Sequence, residues 1–144
     1  MISCAKEASE VLRTAFPKRL FTTQECFVVM LLNTQNMPIG KPILVSMGTV
    51  SAVSVHPRDV FREAVKRNAT SIIVAHNYPS GNCEPSSDDS AFTNRLLKAS
   101  EILGIPLLDH LILTKTESAS LKELKPDLWG EQKETCTFTS ASFT

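Results

Sequence analysis

An α/β domain, a mixed β-sheet with helices packed against it, is the fold class this chain predicts, and three observations predict it. Two continuous apolar runs, Glu25–Leu32 (ECFVVMLL) and 71–75 (SIIVA), have the uniform character of strands buried on both faces. Helical periodicity recurs before, between and after those runs. The resulting order, α, β-β, α, β, α, β, fits a mixed sheet in two or three layers.

The elements follow in order. Residues 3–16 place Ala5, Ala8, Val11, Leu12 and Ala15 at helical spacing, and Pro17 stops the pattern. The strand Glu25–Leu32 leads through the turn Asn33-Thr34-Gln35-Asn36-Met37-Pro38 into a weaker strand at 39–46, together a hairpin. Residues 48–55, small and β-branched, are expected to be extended. Pro57 and Asp59 suit a helix N-terminus, with Val60, Phe61, Ala64 and Val65 as its apolar face and Arg67-Asn68 as its end. A strand at 70–75 precedes a polar loop. Ser86 then begins a helix whose Phe92, Leu96, Ala99 and Leu103 share a face, ended by Gly104 and Pro106. A strand at 107–114 is interrupted by the polar pair Asp109-His110, and 118–121 reads as a short last strand. From Lys125 the pattern fades. Residues 126–144, Thr/Ser-rich toward their end, read as a tail without fixed structure that follows a domain at 1–125.

Composition narrows the classes. With 144 residues the chain fits one domain with a real core, and 42% apolar and 21% charged residues are ordinary for a globular protein. Fifteen Lys and Arg balance fifteen Asp and Glu, so no net field draws nucleic acid or an anionic membrane. No apolar run is long enough to span a bilayer, and Met1 opens onto a polar helical pattern with no secretory signal, so a cytoplasmic location is expected. Cys4, Cys26, Cys83 and Cys136 are scattered without a CxxC, which fits free thiols in a reducing compartment.

The loop AHNYPSGNCEPSSDD, from Ala75 to Asp89, lies between a buried strand and a helix, where α/β proteins keep their chemistry. Zinc takes His, Cys and carboxylate ligands, three of them in catalytic sites. His76 ends the strand and Asp89 opens the helix, so a loop folding back brings both to one ion. Position 78 faces the same side of an extended chain as His76, but it holds Tyr78. A structural reading stands beside this one. Ser86-Ser87-Asp88-Asp89 fits a capping box, Pro79-Ser80-Gly81 is turn chemistry, and a strand-end His can simply bond backbone.

Val55-His56-Pro57-Arg58-Asp59-Val60-Phe61, Ala75-His76-Asn77-Tyr78-Pro79-Ser80-Gly81, Pro85-Ser86, Asp89 and Leu107-Leu108-Asp109-His110 resemble, in order and spacing, the RadC family. That family is the bacterial branch of the JAB, or MPN+/JAMM, metallohydrolase superfamily. The resemblance covers residues 25–113. It implies a cytidine-deaminase-like, three-layer α/β/α core with a mixed sheet, and a zinc site of Glu, His-x-His-Pro and Ser-x-x-Asp. By position, it implies Glu25 as general base, His76 and Asp89 as metal ligands, and Ser86 as the hydroxyl that steadies the tetrahedral intermediate. The family's second histidine falls on Tyr78. The chain also reads as a short form without the N-terminal helix-hairpin-helix region of longer RadC proteins.

A phenol must ionise to bind zinc well, at a cost of roughly 4 kcal/mol at pH 7 from a pKa of about 10. Weak zinc binding and impaired hydrolysis are therefore expected. Cys83 in the same loop, or His110 on a neighbouring strand, could compensate. Three functions follow from the resemblance: a zinc-dependent hydrolase of peptide or isopeptide bonds, a non-catalytic JAB-like module that binds a protein partner, and a DNA-repair role carried by the family's label. No basic stripe or base-reading pattern supports the last. An exposed edge beside 39–46 could pair with a second copy of the chain.

Overall fold

The computed structural model describes residues 1–48 and 55–130. Among them, helix α1 (Ala5–Arg13) precedes strands β1 (Glu25–Leu32) and β2 (Ile43–Gly48). Helix α2 (Pro57–Lys66), strand β3 (Ser71–Asn77), helix α3 (Ser87–Leu103), strand β4 (Leu107–Leu113), strand β5 (Ser118–Ser120) and the one-turn helix α4 (Leu121–Leu124) follow, ending in a 3₁₀ turn at Pro126–Trp129. The strands form one mixed sheet in the order β2-β1-β3-β4-β5. β3 and β4 are parallel, as a crossover through α3 requires, and the other neighbours are antiparallel.

Alternation along the strands splits the core in two. Phe27, Val29 and Leu31 of β1 with Ile72 and Val74 of β3 face α2 and α3, where they meet Val60, Phe61, Phe92 and Leu96. Cys26, Val28, Met30 and Leu32 with Ile73 and Ala75 face α1, where they meet Ala5, Ala8 and Leu12. Helices thus cover both faces, which makes the domain a three-layer α/β/α sandwich and settles the choice between two layers and three. β1 and β3 read as unbroken apolar runs because neither face of either strand meets water. No helix among the described residues is long and apolar enough to cross a membrane.

Several boundaries differ from the sequence reading. The first helix is shorter than 3–16 because Thr14, Ala15 and Phe16 leave it in tightening turns whose N–H groups bond the carbonyls of Val11, Leu12 and Arg13. The second strand of the hairpin starts at Ile43; before it only Leu32 and Pro38 bridge. The expected extended segment 48–55 lies for the most part outside the described residues. β3 runs on to Asn77, so His76 is inside the strand. β4 is not interrupted: Asp109 and His110 are buried in it, with partners from other elements. Packed structure also continues past Lys125. Trp129 is buried and its indole N–H donates to the Leu107 carbonyl at 2.9 Å, closing the α3 side of the sheet.

Candidate metal centre

Strand register assembles the cleft. β1 runs antiparallel to β3 with Phe27 opposite His76, so Glu25, two residues earlier, lies across from the position just past the end of β3. Because side chains alternate, Glu25, Phe27 and His76 share the α3-facing side of the sheet. The Ser86–Asp89 turn closes the cleft from the start of α3. A space of about 360 Å³ results, with Phe27 and Phe92 as its apolar floor and Glu25, His76, Tyr78, Ser86 and Asp89 in its wall. Every residue that the sequence placed in the site lines this one cleft.

At its base His76 is buried, and its Nδ1 stands 2.7 Å from His110 Nε2. His110, also buried, places Nδ1 2.6 Å from Thr93 Oγ1, and the Thr93 hydroxyl donates to the Asp89 carbonyl at 2.7 Å. His76 Nε2 is buried without a hydrogen-bond partner and lies 3.4 Å from Asp89 Oδ1. That approach would be an ion pair only if His76 carried both ring protons. Burial pushes its pKa down, against a smaller upward pull from Asp89, and burial pushes that of His110 down further, with His76 adding to it. Burial thus favours the neutral imidazole at both positions, the state in which a histidine can ligate a metal.

Asp89 serves two neighbours. Its Oδ2 accepts the Ser86 N–H at 2.9 Å while its own N–H donates to Ser86 Oγ at 3.2 Å, a capping box at the start of α3. Its Oδ1 faces His76. The sequence set cap and ligand against each other as readings of one residue; the geometry gives each an oxygen. Ser86 accepts through its oxygen, which leaves the hydroxyl proton able to donate into the cleft. Glu25 is partly buried at the mouth of β1, and desolvation first, then the charge of Asp89, raises its carboxyl pKa.

The donors match two corners of a zinc site. Two ligands of one tetrahedral zinc, each at the usual 2.0–2.2 Å, stand about 3.4 Å apart. His76 Nε2 and Asp89 Oδ1 have that separation, and the buried His76 Nε2, without a hydrogen-bond partner, is what a cation would satisfy. The ring of Tyr78 lies beside that of His76, centroids 4.8 Å apart and planes tilted by 58°. Among the described residues no group of three or more His, Cys, Asp or Glu is placed to hold a metal ion. Neither compensating residue reaches the ion position. The Cys83 thiol turns to the Ile112 carbonyl, 3.9 Å away, and both ring nitrogens of His110 are engaged.

Two residues of the site were not singled out from the sequence. Thr93 sits in the apolar stripe of α3, where a threonine passes for helix filling. Asn77, fully buried, accepts the Cys26 N–H at 2.6 Å and donates to the carbonyls of Phe21 and Gln24 at 2.7 and 2.8 Å. It thereby grips the chain on both sides of Glu25. A polar residue closing an apolar strand run was the available signal for Asn77.

Comparison with known proteins places the chain. It is 47% identical over 110 residues to a UPF0758 protein of Gloeothece citriformis, an alignment covering 76% of this chain and 44% of that protein. Against the UPF0758 protein of Acaryochloris marina the figures are 44% over 112 residues, 78% and 45%. For that of Picosynechococcus they are 46% over 110 residues, 76% and 44%. The chain therefore spans less than half the length of the curated relatives it matches. Residues 2–126 match the family described as RadC-like JAB domain, which covers both core layers, the cleft and its floor, and the chain belongs to that family.

Proposed function

We propose that this domain is a metal-dependent hydrolase of the JAB type, acting on a peptide or isopeptide bond, with a metal site weakened by Tyr78. The observation that carries the reading is the pair His76 Nε2 and Asp89 Oδ1, 3.4 Å apart at the base of the cleft. His76 and Asp89 would hold the ion, and zinc, when bound, supplies an activated water and polarises a scissile carbonyl. Glu25 is suited to take the proton of an attacking water and return it to the departing amine, since its raised pKa moves it toward the operating range of a general base. Ser86 is suited to donate its hydroxyl proton to the oxygen that becomes negative. Phe27 and Phe92 keep the floor apolar, where such donors act most strongly.

A non-catalytic module that keeps the fold and binds a protein partner is the second reading, favoured by the tyrosine at the third corner. Calorimetric zinc titration separates the two. Tyr78→His is expected to raise zinc affinity by more than the ~100-fold that a supporting residue is worth, and to raise hydrolysis of peptide substrates with it. Wild-type affinity equal to that of the variant would sink the idea of a weakened site. Absence of binding in both proteins would overturn the metal reading and leave the module.

A further inference from the structure

Three hydrogen-bonded groups stand behind the cleft face of His76, and the Thr93 hydroxyl sets the direction of donation among them. The Thr93 hydroxyl has one proton, and it goes to the Asp89 carbonyl at 2.7 Å, one turn back on α3. Thr93 Oγ1 can then only accept at 2.6 Å from His110, so the proton of His110 is on Nδ1. His110 Nε2 is left as a lone pair, and the nitrogen 2.7 Å from it, His76 Nδ1, must carry the proton of that bond. His76 Nε2 has no proton and points its lone pair at the cleft, in accord with its having no hydrogen-bond partner there. Reversing the chain would pull the Thr93 proton off the Asp89 carbonyl and aim a His76 Nε2–H at Asp89 Oδ1 across 3.4 Å, beyond good hydrogen-bond range.

We infer that Thr93, acting through His110, is a positioning residue that sets the tautomer of His76 and keeps Nε2 free to bind a metal. The inference deepens the metal reading and borrows its ligand, His76. It adds that the site's competence is decided one turn along α3 from Asp89, by a hydroxyl that touches neither metal nor substrate. A ligating histidine fixed through its other nitrogen is the usual way protein groups orient a metal ligand. Here the fixing group is a second histidine, which is itself ambiguous in its proton and needs a third group to decide it.

Removing the hydroxyl is predicted to reverse the chain. In Thr93→Val, which keeps the shape, a proton on His110 Nδ1 has no acceptor in a buried site. The lower-energy arrangement puts it on Nε2, donating to His76 Nδ1. His76 must then carry its proton on Nε2, where it occupies the lone pair a metal needs and faces Asp89 Oδ1. Thr93→Ser retains the hydroxyl and is predicted to retain the wild-type tautomers.

Long-range proton–nitrogen NMR of the metal-free, ¹⁵N-labelled protein reads the ring protons directly. Expected are Nδ1–H forms of His76 and His110 in wild type and Thr93→Ser, and Nε2–H forms of both in Thr93→Val. Wild-type His76 protonated on Nε2, or unchanged tautomers in Thr93→Val, would overturn the inference. Zinc affinity, measured in the Tyr78→His background, should fall about tenfold to a hundredfold on Thr93→Val and recover with Thr93→Ser. Equal affinity in the Val and Ser variants would overturn the functional half. If zinc binds none of these proteins, the metal reading fails, and the NMR result still decides the relay.

Discussion

Asn77 shows how much one side chain can organise. Its amide satisfies one N–H and two carbonyls that flank Glu25, and it neighbours His76 on the same strand, so Glu25 and His76 are referenced to adjacent residues of β3. Asn77→Ala would bury those three backbone groups without partners. A loss of about 2–4 kcal/mol is expected in urea unfolding, and a change below about half a kilocalorie would show that water replaces the amide. Residue types in the loop made His76, Asp89 and Ser86 legible, because ligands and caps use few chemistries, whereas Glu25, at the start of β1, was singled out only by the family spacing. Thr93 and Asn77 were not legible, since what they do depends on partners 17 and more than 50 positions away.

At the scale of elements, β4 was read as broken at Asp109 because a strand pattern treats a carboxylate as a solvent-facing residue. The carboxylate is instead buried and tied to Ser120 Oγ, to the Lys122 N–H at the start of α4 and to the His110 N–H. Burial outweighs those bonds and pushes its pKa from 3.8 up to about 7. The folded protein therefore holds this proton more tightly than the unfolded chain, so stability falls as pH rises from about 4 to 7, by on the order of 4 kcal/mol for this group alone. Glu25, also raised, contributes with the same sign. Asp109→Asn imitates the protonated carboxyl, and its stability measured against pH should lack this slope; a curve parallel to that of wild type would refute the assignment. The hairpin, α2 and α3 were legible element by element, because caps, prolines and periodicity are local signals. The ends of β3 and β4 were not, because buried polar residues in strands are paid for by contacts from elsewhere in the chain.

For the whole molecule, the fade of pattern at Lys125 conceals a closing residue. Trp129 fills the α3 side of the sheet and bonds the Leu107 carbonyl, while Lys125 Nζ donates to Ser90 Oγ near the start of α3. A 3₁₀ turn shows no periodicity, so a lone tryptophan among polar residues was the only sign. Trp129→Ala should cost about 3–5 kcal/mol and lower the thermal midpoint by about 10 °C. Trp129→Phe, which loses chiefly the N–H bond, should cost about 1 kcal/mol. Equal effects of the two would mean that the ring contributes little. The uniform apolar runs showed a buried sheet but left two layers or three open, and the antiparallel register that sets Glu25 against the end of β3 could not be read from either strand alone. Asp89 then carries a consequence for motion. Because one carboxylate both closes the first turn of α3 and faces His76, fraying of that turn and loss of the site are a single event. A cation held there would slow amide exchange in the first turn of α3 in proportion to its occupancy, making the helix end a reporter of what the cleft contains.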